Sequence, residues 1–354
     1  MRRARAVGLA VALACAALAG PGARADAPAT PSAPAASDAA PAAPDAAPAR
    51  RIAFSAEITI RGVPEGAGPV DVWVPIPVND ERQGVESYSV RSGMPGRVVR
   101  DARGNRFWHG RAGAAPELPM EITLEAVVAR RAVGAPPARA LSGRRTGGAR
   151  AARLAVRRHP LRCRRARAVV AALHERAGSE RPLALARAAR DWVAEHVAAG
   201  DGAADACAGD ALAALAGRRS GPGDAAALEA ALVRAAGVPA RIAVGLAVPT
   251  GVAKGEASER RTWVEVLAPE AGWVPLDALA AGADALAGAA PGAAFDRLHV
   301  TTGCGLVLGD GQRDARPLPS VATTYVEVDG RRVDGGVETH FPFADLATAQ
   351  LLGP

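Results

Sequence analysis

Between Arg51 and about Val133 the apolar residues recur with a period of two. Ile52, Phe54, Ala56, Ile58 and Ile60 alternate with polar or small residues, and Val70, Val72, Val74 and Ile76 do the same. Met120, Ile122, Leu124, Ala126 and Val128 repeat the pattern, and Gly104-Asn105 marks a turn between runs. Such alternation buries one face of each strand, so this region is expected to form an antiparallel β-sandwich. From about Ala168 the spacing changes to three and four, as in ARAVVAALHERAG and PLALARAARDWVAEHVAAG, which predicts helices. A short helix is expected over Ala211 to Ala216.

The next helix is apolar nearly all round. SGPGDAAALEAALVRAAGVPAR, from Ser220 to Arg241, has only Asp224, Glu229 and Arg234 interrupting its Ala/Leu/Val run, so it should be central and buried. Pro222 suits the first turn, where no backbone N–H is required, and Gly237 suits a left-handed C-cap before Pro239. Three short strands are expected after it, over 241–248, 262–267 and 273–276, giving a helix packed on an antiparallel sheet. The tail from Phe295 to Leu346 alternates again and is expected to add strands to this core. The fold class is therefore α+β.

Composition changes this picture mainly at the start. Three arginines, an apolar run too short to span a bilayer, and Ala23-Arg24-Ala25 make residues 1–25 a cleavable export signal. Residues 26–50 are almost wholly Ala, Pro, Ser and Asp, with nothing large to bury, and read as a disordered linker. The expected order is then a sandwich over 51–135, an Arg-rich connector over 136–166, a core over 167–290 and a β extension over 291–354. No later stretch is apolar enough to cross a membrane, so the destination is periplasmic or extracellular.

The formal charge of +7 falls to +3 once the four arginines of the first 25 residues are removed. Arg139 to Arg167 carries eleven arginines and no acid. It lacks the aromatic residues that stack bases, so a solvated surface outweighs a polyanion site and no nucleic-acid partner is expected. Cys163, Cys207 and Cys304 follow the signal; they allow at most one disulfide, and none has metal-site spacing. Neither a metal nor a cofactor is expected.

The segments GDAAALEAALVRAAGVPARIAVGLAVP, TWVEV and GWVPLDALAA, in that order, resemble the core of bacterial transglutaminase-like proteins, which have a papain-like cysteine-hydrolase architecture. VDVWVPIPVNDERQGVESYSV and DARGNRFWHG resemble the sandwich that precedes such cores, and LHVTTGCGLVLGDG and TYVEVDGRRVDGGVETHFPFADL the strands that follow them. The resemblance implies a Cys-His-Asp triad, with a thiolate activated at the helix start, a histidine that shuttles protons and an aspartate that orients it. Set on that pattern, Pro222 falls at the cysteine, Arg261 at the histidine and Asp277 at the aspartate. Proline has neither nucleophile nor N–H, and guanidinium cannot act as a base.

Two of the three catalytic groups are thus replaced, and a binding or scaffolding role toward peptide, protein or cell-envelope polymer is the leading expectation. The alternative is an acyl transferase or amide hydrolase using another nucleophile. Cys207, shortly upstream of the same helix, is the candidate, and Thr262 is weaker. Arg261 and Asp277 are expected to form an ion pair in the old site. Asp224, Trp263, Glu265 and Trp273 are candidates for lining a retained cleft, although the tryptophans fit the core equally well. Glu265 fits either a strand face or an arginine partner. The remaining histidines read as packing or surface residues.

Overall fold

A computed structural model describes residues 49–113, 116–131, 164–200, 211–217, 219–257, 260–269, 272–278, 296–309, 311–314, 316–333 and 335–346. The export signal, nearly all of the linker and of the Arg-rich connector, Cys163 and Cys207 lie outside the described residues.

The first six strands are β1 (Ala49–Ile60), β2 (Val70–Ile76), β3 (Gln83–Ser92), β4 (Gly96–Arg100), β5 (Arg106–Ala112) and β6 (Met120–Arg131). Four helices follow: α1 (Arg164–Ala177), α2 (Pro182–His196), α3 (Ala211–Gly217) and α4 (Pro222–Ala235). The two-residue strands β7 (Ala198–Ala199) and β8 (Arg219–Ser220) pair in parallel before α4. After α4 come β9 (Ala240–Ala247), β10 (Lys254–Glu256), β11 (Arg260–Ala268), β12 (Gly272–Leu276), β13 (Arg297–Thr302), β14 (Tyr325–Val328), β15 (Arg331–Arg332), β16 (Val337–His340) and β17 (Pro342–Leu346).

Three sheets organise these strands. The core sheet has the order β12-β11-β9-β13, and all its pairs are antiparallel. The sandwich consists of a sheet ordered β10-β17-β1-β6-β3, with β16 also on β1, and a second ordered β15-β14-β2-β5-β4. Its interior is formed by the alternating positions read from the sequence, including Ile52, Phe54, Ile58, Val70, Val72, Val74, Ile122 and Leu124. The expected sandwich and α+β core are both present.

The tail corrects one expectation. Only β13 joins the core sheet, whereas β14 to β17 return to the sandwich, where β17 and β16 zip along β1 and β14 pairs with β2. Phe341, Phe343, Val326 and Val328 are buried in the sandwich interior, which rewards this return.

Helix α4 is as central as its composition demands. Ala225 to Val233 are buried without interruption, and they pack with Val264, Val266, Val274, Leu276, Ile242 and Val244 of the core sheet. Gly221 is the N-cap and Pro222 opens the first turn. At the far end Gly237 has φ 88°, its N–H donates to the carbonyl of Arg234, and the N–H of Val238 donates to that of Val233. This is the Schellman pattern, and it stops the helix where Pro239 would otherwise clash.

Candidate functional site

Strand alternation splits the candidate residues between two faces of the core sheet. Val264, Val266, Val274 and Leu276 point at α4, so Arg261, Trp263, Glu265, Trp273 and Asp277 occupy positions on the opposite face. Pro222 and Asp224 begin the helix on the first face, with Asp224 half-buried. Trp263, Glu265 and Trp273 are 1%, 5% and 6% exposed. They line no open cleft, because the β2–β3 connection covers their face of the sheet: Arg82 Nε donates to the Trp273 carbonyl (2.6 Å).

Arg261 is half-buried on β11, opposite Gly245 of β9. The cation set against Asp277 is Arg297, on β13 at the opposite edge of the sheet from β12, where the sequence suggested Arg261: its Nη1 lies 3.3 Å from Asp277 Oδ2. Gly245 lies beside this pair. A Cβ there would fall 1.9 Å from the Leu298 carbonyl oxygen and 3.0 Å from the Trp263 ring, so only glycine lets β9 and β13 approach this closely beside the indole. The Arg297 guanidinium caps that indole 5.5 Å from its centroid, and both members of the ion pair are largely buried. Nothing in the sequence around Arg297 signals this pairing; it requires the register of β13 on β9.

The rest of the face is a buried charged layer between core sheet and sandwich. Arg241 Nε bonds Glu265 Oε2 at 2.6 Å, lies 3.6 Å from Asp80, and stacks 4.4 Å over Trp273. His299, fully buried, bonds Asp80 through Nδ1 at 2.9 Å. Burial works to raise the Asp80 carboxyl, but the His299 hydrogen bond and the charges of His299, Arg241 and Arg130 outweigh it and hold the group far below the usual range. Glu265 is likewise lowered, Arg241 overcoming the penalty of burial. Asp80 and His299 were not among the expected site residues; the single histidine interrupting the apolar alternation of RLHVTT was the available signal.

Side-chain amides stitch the outer edge of β13 to the sandwich. Gln83 Nε2 donates to the His299 carbonyl (2.7 Å) and its Oε1 accepts the His299 N–H (2.8 Å). Asn105 repeats the arrangement on Thr302, with Nδ2 to the carbonyl at 2.9 Å and Oδ1 from the N–H at 2.8 Å. Each amide thus substitutes for a missing neighbouring strand and removes an open edge.

Two chemical readings of the layer fail on geometry. Asp80, Glu265 and His299 bring three ligand atoms within 4.8 Å of one another, the one such cluster among the described residues. The Arg241 guanidinium already supplies the positive charge between the two carboxylates, and His299 Nδ1 is committed to Asp80, so the donor set does not suit a metal. Asp80, His299 and Thr302 follow the order of a hydroxyl triad, with His299 Nε2 3.1 Å from Thr302 Oγ1. That nitrogen is equally close to the Thr301 carbonyl (3.1 Å), which competes with the hydroxyl for it, and the ring is fully buried, out of reach of a substrate. The layer is structural. Elsewhere, Cys304 is disulfide-bonded, and His109 is a packing residue, paired with Asp71 at 2.8 Å and stacked on Trp73.

Residues 168–278 match the family model of the transglutaminase-like superfamily, so this stretch is a transglutaminase-like core. More particularly, the structure is similar to a candidate cysteine protease from Cytophaga hutchinsonii, with 15% identity, a TM-score of 0.50, and 85% of this chain and 92% of that one covered. That likeness is one of fold. The periplasmic domain of TgpA from Pseudomonas aeruginosa aligns at 17% identity and a TM-score of 0.32, over 66% of this chain and 88% of that domain. No curated protein matches the chain.

Proposed function

We propose that this chain is an exported transglutaminase-like protein that has given up catalysis, and that it acts by binding or scaffolding peptide or cell-envelope material. The observation that carries this reading is the fate of Asp277. The carboxylate aligned with the orienting aspartate of the family is ion-paired with Arg297, which cannot exchange a proton at neutral pH. Pro222, aligned with the nucleophile, opens α4 without a thiol or a backbone N–H to offer. Loss of a triad nucleophile alone costs on the order of a million-fold in rate. No helix among the described residues is long and apolar enough to cross a membrane, which agrees with delivery of this region across one.

The test uses the full chain without its signal. Incubation with an amine donor and a glutamine-bearing peptide, and separately with a thiol-directed electrophile, should give neither turnover nor activity-linked labelling. Turnover that disappears in Cys207→Ala would instead establish a rearranged cysteine enzyme. Co-sedimentation with isolated cell-wall sacculi and capture on a peptide array then report the ligand class; retention on neither would overturn the binding role.

A further inference from the structure

Helix α4 hides one carboxyl group that the ion-pair layer does not use. Glu229, one of three residues interrupting the apolar run, is 1% exposed. Its Oε2 accepts a long hydrogen bond from the Ala278 N–H (3.3 Å), and its buried Oε1 has no hydrogen-bond partner. The surroundings offer it little as an anion. Ala278 directly follows Asp277, a second carboxylate, whose ion pair goes to Arg297. From α2, Arg190 and Asp191 face the group, but they are bonded to each other and act in opposite directions.

Among the other packed elements, the side chains described against α4 are uncharged. α3 (ALAALAG) contains no titratable residue, α1 packs through Ala166, Val169 and Leu173, and β9 and β11 present Ile242, Val244, Val264 and Val266. A carboxylate with one weak donor, an orphaned oxygen and a like charge beside it is costly; the protonated form needs far less from its neighbours.

We infer that Glu229 is a proton switch built into the core: the fold is locked while this carboxyl is protonated and loosens around α4 when it ionises. Burial, with the charge of Asp277 as the second cause, raises the group from 4.5 to about 8. The folded protein therefore keeps, between those values, a proton that the unfolded chain gives up. Stability from this source is complete below about pH 4.5, declines as pH rises, and is lost above about 8. Glutamine at the position keeps the shape and the Ala278 bond without the ionisation.

Urea unfolding of the full chain and of Glu229→Gln across this range tests the switch. The variant should gain on the parent progressively with pH, by up to about three decades in the unfolding constant, and the two should converge near pH 5. Curves that stay parallel throughout would overturn the inference. Should the variant fail to fold, amide exchange at Ala230 of α4 in the parent decides the matter. Its protection, referred to amides in the middle of β12, should fall as pH passes 8; a constant ratio would refute the switch.

Discussion

Replacing Asp277 by alanine strands the Arg297 guanidinium at a site where it is 14% exposed. Removing one partner of a buried ion pair costs about 3–5 kcal/mol, chiefly because the other charge is left uncompensated. Arg297 keeps two consolations, the Trp263 face at 5.5 Å and Asp296 at 3.4 Å, the latter 43% exposed. An exposed carboxylate and a cation–π contact offset about 1 kcal/mol together, so a loss of about 2–4 kcal/mol is expected for Asp277→Ala. Asp277 has further contacts, so the pair itself is isolated by a cycle with Arg297→Met and the double variant.

A coupling of about 1–3 kcal/mol is expected from urea unfolding. The cycle belongs at pH 6, where Glu229 is protonated and removing Asp277 relieves no repulsion there. Measured in 1 M salt the coupling should largely persist, since a buried pair is poorly screened. A coupling below about 0.5 kcal/mol would refute the argument that this pair is a structural replacement for catalytic machinery.

Two further variants test the joint between core sheet and sandwich. Gln83→Met keeps the volume but orphans the His299 N–H and the Val78 carbonyl, to which Gln83 Nε2 donates at 2.6 Å. At about 1–3 kcal/mol for each unsatisfied group, calorimetry or denaturant unfolding should show a loss of about 3 kcal/mol, and a loss below 1 would deny the amide its role. Gly245→Ala sets a methyl 1.9 Å from the Leu298 carbonyl oxygen, so the β9–β13 ladder must part; soluble yield and Tm should both fall, and an unchanged Tm would contradict the packing.

Much of this architecture was legible because its segments are locally consistent. The period-two runs of β1, β2 and β6 each bury one face, and α4 announces both ends through Pro222 and Gly237. What periodicity does not encode is the partner of a strand. β13 and β14 have similar alternation, yet one completes the core sheet and the other crosses to the sandwich. The charged layer escaped notice for a related reason. Asp80 and Gln83 sit in VNDERQG, a run that reads as a solvated turn, and become buried only when a sheet from two hundred residues later closes over them. At the candidate site, sequence register singled out Asp277 but could not foresee Arg297, which comes to it only through the pairing of β13 on β9.

The return of β17 to β1 also governs how the protein comes into being. Arg51 pairs with Leu346 and Phe54 with Phe343, so the earliest strand waits for the latest. An emerging chain can build α4 and its sheet, but the outer edge of β1 stays open until β17 has left the ribosome. Contacts of such long range slow folding and lengthen the time that apolar strand faces stand open. Truncation before Pro342 would strip the outer edge of β1 from Arg51 to Phe54 of its partner and remove Phe343 from the interior, leaving an open strand edge of the kind that recruits chaperones and proteases.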